Sequence, residues 1–360
     1  MISTEPDDRT GGNTVTSPLS ALYALAMLRA GAGTTTATEM DDALALPPEY
    51  RDEALNALLT TVERFDGDPG SVDEENPPRV PLLHLANAVF VSEDEPVGAG
   101  FLEALARHYG AGVYPVDFGD AATGARIDDW VSQETGGRID KAPLTVDPST
   151  VLTLLNTVYF AAAWDVPFDP GSTDNQDFTL RAGGAVSVPM MRGSRLVRYA
   201  EGTGWRGIDL PYGEGFFMRL VLPVGASTPT WSEDELVDIA RVLDGAEPRF
   251  VAVELPTWDH EYTQDLLGVL RPLGLEETFG PAADLESIHP GAQITGGVQT
   301  ANITVAEKGT IAAAVTQFAF ATSAEMPPAL RISFDRPFGY QIIHEETGLP
   351  VTLGTVADPR

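Results

Sequence analysis

The chain contains no cysteine. Disulfides, thiol nucleophiles and cysteine-based metal sites are therefore excluded. Lysine is almost as scarce, with only Lys141 and Lys308; every other basic residue is an arginine. Basic residues number 22 against 53 acidic ones, a formal net charge of −31 at pH 7. Such a surface repels nucleic acid, heparin-like polyanions and anionic membranes, so none of these is an expected partner. It suits a salt-rich environment and a GC-rich genome equally. No apolar run approaches the 18 residues of a membrane-spanning helix. The start, Met1-Ile2-Ser3-Thr4-Glu5-Pro6-Asp7-Asp8, has neither a basic beginning nor an apolar core, so it is not a signal peptide. A cytoplasmic location follows if the chain is complete there, and an extracellular one stays open if it is shortened.

Catalytic signatures are missing as well. A serine hydrolase places its nucleophile on a sharp elbow of the form Gly-x-Ser-x-Gly, and the sequence has none. His84, His108, His260, His289 and His344 show no His-x-x-x-His spacing for a metal, and read as structural or solvated. Gly296-Gly297 lacks a following Lys-Ser or Lys-Thr and reads as a turn rather than a phosphate loop. Asn302-Ile303-Thr304 matches a glycosylation sequon but falls in a strand. No cofactor and no metal are expected.

What the sequence does have is one unusual stretch, from Glu307 to Pro337. It opens Glu307-Lys308-Gly309-Thr310-Ile311-Ala312-Ala313-Ala314-Val315-Thr316, small and β-branched residues without proline. It continues through Phe318, Phe320, Ser323, Ala324, Met326 and Pro327-Pro328 into Arg336-Pro337-Phe338. So long a connection is unusual in a compact domain unless it has a function. Gly309 suits a pivot because it tolerates backbone angles that other residues avoid. Alternation puts Thr310, Ala312, Ala314, Thr316, Phe318 and Phe320 on one face of an extended segment. Small leading residues let such a segment slip between strands without overpacking. Each phenylalanine adds burial of roughly 1.5–3 kcal/mol.

At 360 residues one large domain, 1–360, is possible, and no linker or repeat divides it. Ser17-Pro18 predicts a helix running to Ala30. Thr36-Ala37-Thr38-Glu39 predicts a capping box opening a second helix through Leu46. Further helices are expected at Arg51–Phe65, Phe101–Tyr109 and Leu266–Leu275, and Asp66–Pro78 reads as a plain loop. Strands are expected at His84–Val91, at Val253–Pro256, at Phe338–His344 and at Leu349–Val356. Val151–Phe160, nearly all apolar, reads as a central strand covered on both faces. Met190 and Met191 read as core filler. Short strands mixed with helices, without a βαβ rhythm, indicate an α+β fold.

Several motifs resemble one family, in order and at family-like spacing from Asn13 to Pro359. They are Asn13-x-x-x-Ser17-Pro18-x-Ser20, then Gly31-Ala32-Gly33 with its following threonines and Glu39, and Ile127-Asp128-Asp129-Trp130-Val131 with Thr135-Gly136-Gly137-Arg138-Ile139. Asn156, Trp164, Pro167-Phe168, Thr173, Phe178, Glu307-x-Gly309-Thr310 with Ala312-Ala313-Ala314, and Arg336-Pro337-Phe338 complete the set. On these the chain is identified as a member of the serpins, of a prokaryotic type. Four positions depart from the pattern: Asp128 stands where the family has Asn, Ala161 and Ala162 where it has Lys and Gly, and Gln299 where many members have His. The family also has a further helix before Asn13, for which twelve residues leave little room.

The resemblance implies a large mixed β-sheet with two further sheets, helices packed around them, and an exposed reactive-centre loop at about 307–333. It implies a monomeric suicide inhibitor of serine endopeptidases, with no turnover of its own. Cleavage of the loop as substrate is followed by its insertion into the large sheet. The hinge is then Glu307, Gly309, Thr310, Ala312, Ala313 and Ala314. Ser17, Ser20, Asn156 and Gln299 form a polar cluster under the sheet, and Trp164 marks its breach. Counting sixteen residues beyond Glu307 puts the reactive bond at Ser323–Ala324, with Phe320 and Met326 as rivals. A small residue there suits an elastase-like protease, with a chymotrypsin-like or subtilisin-like enzyme next. The other reading is a non-inhibitory serpin acting as a binding or storage protein.

Overall fold

The Ser17-Pro18 signal opens a helix as its chemistry requires. Ser17 Oγ accepts the Ser20 N–H at 3.1 Å, and Pro18 occupies the first turn. This computed structural model describes all residues except 1–11, 46–48, 74, 143–146, 226–230, 295 and 311–329. The helices are α1 (Pro18–Arg29), α2 (Thr34–Leu44), α3 (Arg51–Val62), α4 (Ala99–Tyr109), α5 (Ala122–Glu134), α6 (Glu233–Asp244) and α7 (Leu266–Leu270). The early strands are β1 (Thr14–Thr16), β2 (Leu82–Ser92), β3 (Gly112–Val116), β4 (Leu152–Ala163), β5 (Asp174–Thr179) and β6 (Ala185–Gly202). Then follow β7 (Trp205–Pro211), β8 (Phe216–Pro223), β9 (Pro248–Pro256), β10 (Trp258–Asp265) and β11 (Val298–Ala306). The last are β12 (Gly309–Thr310), β13 (Leu330–Ser333), β14 (Phe338–His344) and β15 (Leu349–Val356).

These strands form two mixed sheets. One has six strands in the order β10-β11-β12-β4-β2-β3, mixed because β2 and β3 run parallel. The other runs β1-β15-β14-β8-β7-β6-β9-β13, with β5 paired to β6. The two further sheets expected beside the large one are thus joined through the 18-residue β6, which pairs with β5, β9 and β7 along its length. The hinge enters the six-stranded sheet, not the nine-stranded one that holds more strands.

Alternation along β2 explains the layering. Leu83, Val89 and Val91 face the main core, where α1 packs against β4 of one sheet and β15 of the other. Ala88 and Phe90 face outward, under Ile127 and Val131 of α5. That helix therefore lies across the outer face of the six-stranded sheet. Met190 and Met191 are buried in the main core.

Three local expectations are corrected. Helix α2 starts at Thr34 without a capping box, because tertiary hydrogen bonds take both of its candidate side chains. Thr36 Oγ1 accepts the Asp284 N–H at 2.9 Å, and Glu39 accepts the N–H groups of Glu277 and Thr278 at 3.0 and 2.8 Å. The helix expected to reach Leu275 is α-helical only to Leu270, then tightens into a 3₁₀ turn at Arg271–Leu273 around Pro272. Strand β4 is not covered along its whole length: Leu152 to Asn156 are only half-buried.

The hinge and the slot in the six-stranded sheet

Strand β11 turns back through Glu307-Lys308, and Gly309 and Thr310 leave that turn as a two-residue strand. They pair with Ala306 and Val305 on one side and with Ala163 and Ala162 on the other. The hinge is thus already a strand between β11 and β4. Among the described residues β11 and β4 share no ladder, so they are joined only through β12. Over Leu152–Ala161, β4 pairs with β2, and β11 pairs with β10 along its length; beyond β12 their other edges, which flank the slot, have no strand partner among the described residues.

Gly309 is required by space rather than by its backbone angles. It is absent from the left-handed glycines, but a Cβ on it would lie 2.1 Å from the Ala162 carbonyl oxygen. Thr310 points inward, buried, with its hydroxyl on the Tyr212 hydroxyl. Burial pushes the Tyr212 phenol up, against a smaller opposing effect of the Thr310 hydrogen bond, so Tyr212 stays neutral. Trp164 stacks on Tyr212 with ring centres 4.5 Å apart and donates from Nε1 to the Ala306 carbonyl at 2.9 Å.

The turn itself is held from four directions. The Trp164 N–H donates to Lys308 O at 2.9 Å, and the Phe168 N–H to Glu307 O at 2.7 Å. Thr173 Oγ1 donates to Glu307 Oε1 at 2.8 Å. Lys308 Nζ donates to Glu75 O and Asn76 Oδ1, both at 2.9 Å. Each such bond contributes about 1 kcal/mol. Asp66–Pro78, read as a plain loop, therefore docks on the hinge. Lys308, one of the two lysines, was the available signal for that contact.

The polar cluster forms without one of its expected members. Gln299 Oε1 accepts the Ser17 N–H at 3.0 Å and the Thr16 hydroxyl, while Gln299 Nε2 donates to Ser17 O at 3.0 Å. Ser17 Oγ donates to Val351 O at 2.7 Å and caps Ser20. Gln299 thus bridges by hydrogen bonds, as its amide allows. Asn156 lies across the slot, donating instead to Asn87 Oδ1 at 2.6 Å. Ala312, Ala313, Ala314, Ser323 and Ala324 lie outside the described residues.

Helix α5 and the turn that follows it are tied down on both sides of the slot. On the β2 side, His84 Nδ1 meets Asp66 at 2.6 Å and its Nε2 meets Glu134 at 2.8 Å. Burial opposes protonation of His84, but these two carboxylates outweigh it and raise its pKa. On the β11 side, Arg138 Nη1 donates to Thr304 Oγ1 at 3.1 Å. The His84 tie has no motif in the sequence, whereas Arg138 falls in the Thr135–Ile139 motif.

Residues 2–359 match the sequence profile of the serpins, described as serine protease inhibitors. The chain belongs to the serpin family. It is 30% identical to mouse (Mus musculus) alpha-1-antitrypsin 1-2 over 357 residues, covering 95% of this chain and 82% of that protein. It is 31% identical to an uncharacterised serpin-like protein of Thermococcus kodakarensis, covering 97% of this chain and 81% of that one. Among solved structures it resembles the thermophilic serpin tengpin in its native state. There the TM-score is 0.83 at 28% identity, covering 99% of this serpin and 90% of tengpin.

Proposed function

We propose that this serpin inhibits serine endopeptidases as a suicide substrate, its cleaved loop entering the six-stranded sheet between β11 and β4. The observation that carries this reading is the seat of Gly309-Thr310 between two strands that pair with each other nowhere else among the described residues. The leading end of the loop is in register with its slot. The next residues, Ile311 to Thr316, include no proline and no charge, so nothing in them blocks propagation of the ladder. Each inserted residue gives backbone hydrogen bonds to two edges that have no other strand partner there among the described residues. Hinge roles go to Glu307, Gly309, Thr310, Ala312, Ala313 and Ala314, with Trp164 at the breach and the cluster of Ser17, Ser20 and Gln299 beneath.

The reactive bond we assign is Ser323–Ala324, which sets the expected target as elastase-like, with chymotrypsin-like and subtilisin-like enzymes next. Incubation with elastase, chymotrypsin and subtilisin, read on a denaturing gel, tests the function. A covalent complex with at least one protease is expected, releasing a C-terminal peptide that begins at Ala324 by mass spectrometry. A peptide starting at Ala321 or Pro327 would move the bond. Loop cleavage by all three without any complex would support a binding or storage serpin instead.

A further inference from the structure

Arg195 on β6 is the misfit of an acidic molecule. Its residue is 7% exposed, its Nη2 has no hydrogen-bond partner, and no described carboxylate pairs with it. Neighbours on the same strand differ: Arg192 meets Asp174 at 3.1 Å, and Arg198 meets Glu345 at 2.9 Å. Against 53 acidic residues in the chain, a buried guanidinium without a carboxylate is costly. Burial alone depresses its pKa to about 10, still well above neutrality, so the charge persists. The guanidinium carbon lies 3.7 Å from the centre of the Phe168 ring, which covers one face and accepts no proton.

Arg195 also lines a cavity of about 190 Å³. A single water needs roughly 10–15 Å³ on this measure, so the space suits a ligand of several heavy atoms rather than a halide. The walls are mostly apolar, from Trp164, Val166, Leu196 and Leu210, and Asp165 is the one acidic residue among them. Val166 and Leu196 stand 54% and 57% exposed at the surface, apolar area that a free molecule leaves in water. Asp165 disfavours a second negative charge nearby.

We propose that this cleft binds a small monocarboxylate carrying a short branched apolar tail, the carboxylate at the Arg195 guanidinium and the tail against Val166 and Leu196. The charge, the room and the apolar walls each select one part of that ligand. A guanidinium–carboxylate contact is charge-assisted and favours the acid over a neutral isostere by roughly tenfold or more.

The probe is 3-methylbutanoate, titrated calorimetrically into the intact protein and compared with 3-methylbutanamide, at an ionic strength held with sodium chloride. Saturable binding of the acid, at least about tenfold tighter than the amide, is expected. In Arg195→Met that preference should vanish, and the rise in Tm with the acid should vanish with it. Equal binding of acid and amide, or an acid-specific Tm rise that survives in Arg195→Met, would overturn the proposal. Should Arg195→Met not fold, the acid-against-amide comparison on the unaltered protein still decides.

Discussion

Gly309 sits where a methyl group cannot. With its Cβ position 2.1 Å from the Ala162 carbonyl, Gly309→Ala must push β12 away from β4. The loop should still be cut, but more inhibitor should be consumed per protease molecule, as a titration of residual protease activity reads directly. An unchanged ratio would mean that the β12 seat is unimportant for trapping. Thr310→Arg goes further, replacing a buried hydroxyl with a charge that has no partner there. Cleavage should persist while the covalent complex disappears. Far from the hinge, Arg219 holds buried Asp209 through two bonds of 2.8 and 2.9 Å. Arg219→Met should cost about 3–5 kcal/mol in urea unfolding by leaving that carboxylate unpaired. The lower end is expected, because Arg198 lies 3.9 Å from the same carboxylate.

Helix α5 packs on the outer face of the six-stranded sheet, and its fastening to β2 through His84 depends on pH. The folded pKa of His84 is raised above the ordinary value of about 6.5. Its contribution is therefore complete below about pH 6.5 and is lost as pH rises through the folded value. His260 works in the opposite sense: burial holds it down to about 4, so stability is lost as pH falls from about 6.5 toward that value. The informative quantity is consequently the Tm difference between wild type and His84→Gln, expected to be larger near pH 6 than near pH 9. A difference independent of pH would contradict a protonated latch. This tie was invisible in the sequence, since His84, Asp66 and Glu134 meet only after distant segments fold. Local signals did better: the Ser17-Pro18 start, the strand alternation of β2 and the buried methionines follow from neighbours a few residues apart. The capping box failed because Thr36 and Glu39 have partners some 240 positions away, which no local pattern encodes. At the site, Gly309 and Thr310 were legible as a hinge, but the crowding that requires glycine belongs to β4.

Over the whole molecule, a net charge of −31 opposes compactness by self-repulsion. Added salt screens that repulsion, so Tm should rise between about 0.05 and 1 M sodium chloride; a fall would mean that ion pairs such as Arg219–Asp209 dominate the balance. On the proposed mechanism, the larger store of free energy is the slot. Two strands flank β12 with their facing edges otherwise unpaired among the described residues, and filling them adds both hydrogen bonds and apolar burial. The intact serpin is thus a metastable form on this account, and one cut in the loop should release it. Melting curves of intact protein and of protein nicked once between residues 311 and 329 test that claim most directly. The nicked form should melt at a clearly higher temperature; an equal or lower Tm after the nick would contradict insertion between β11 and β4.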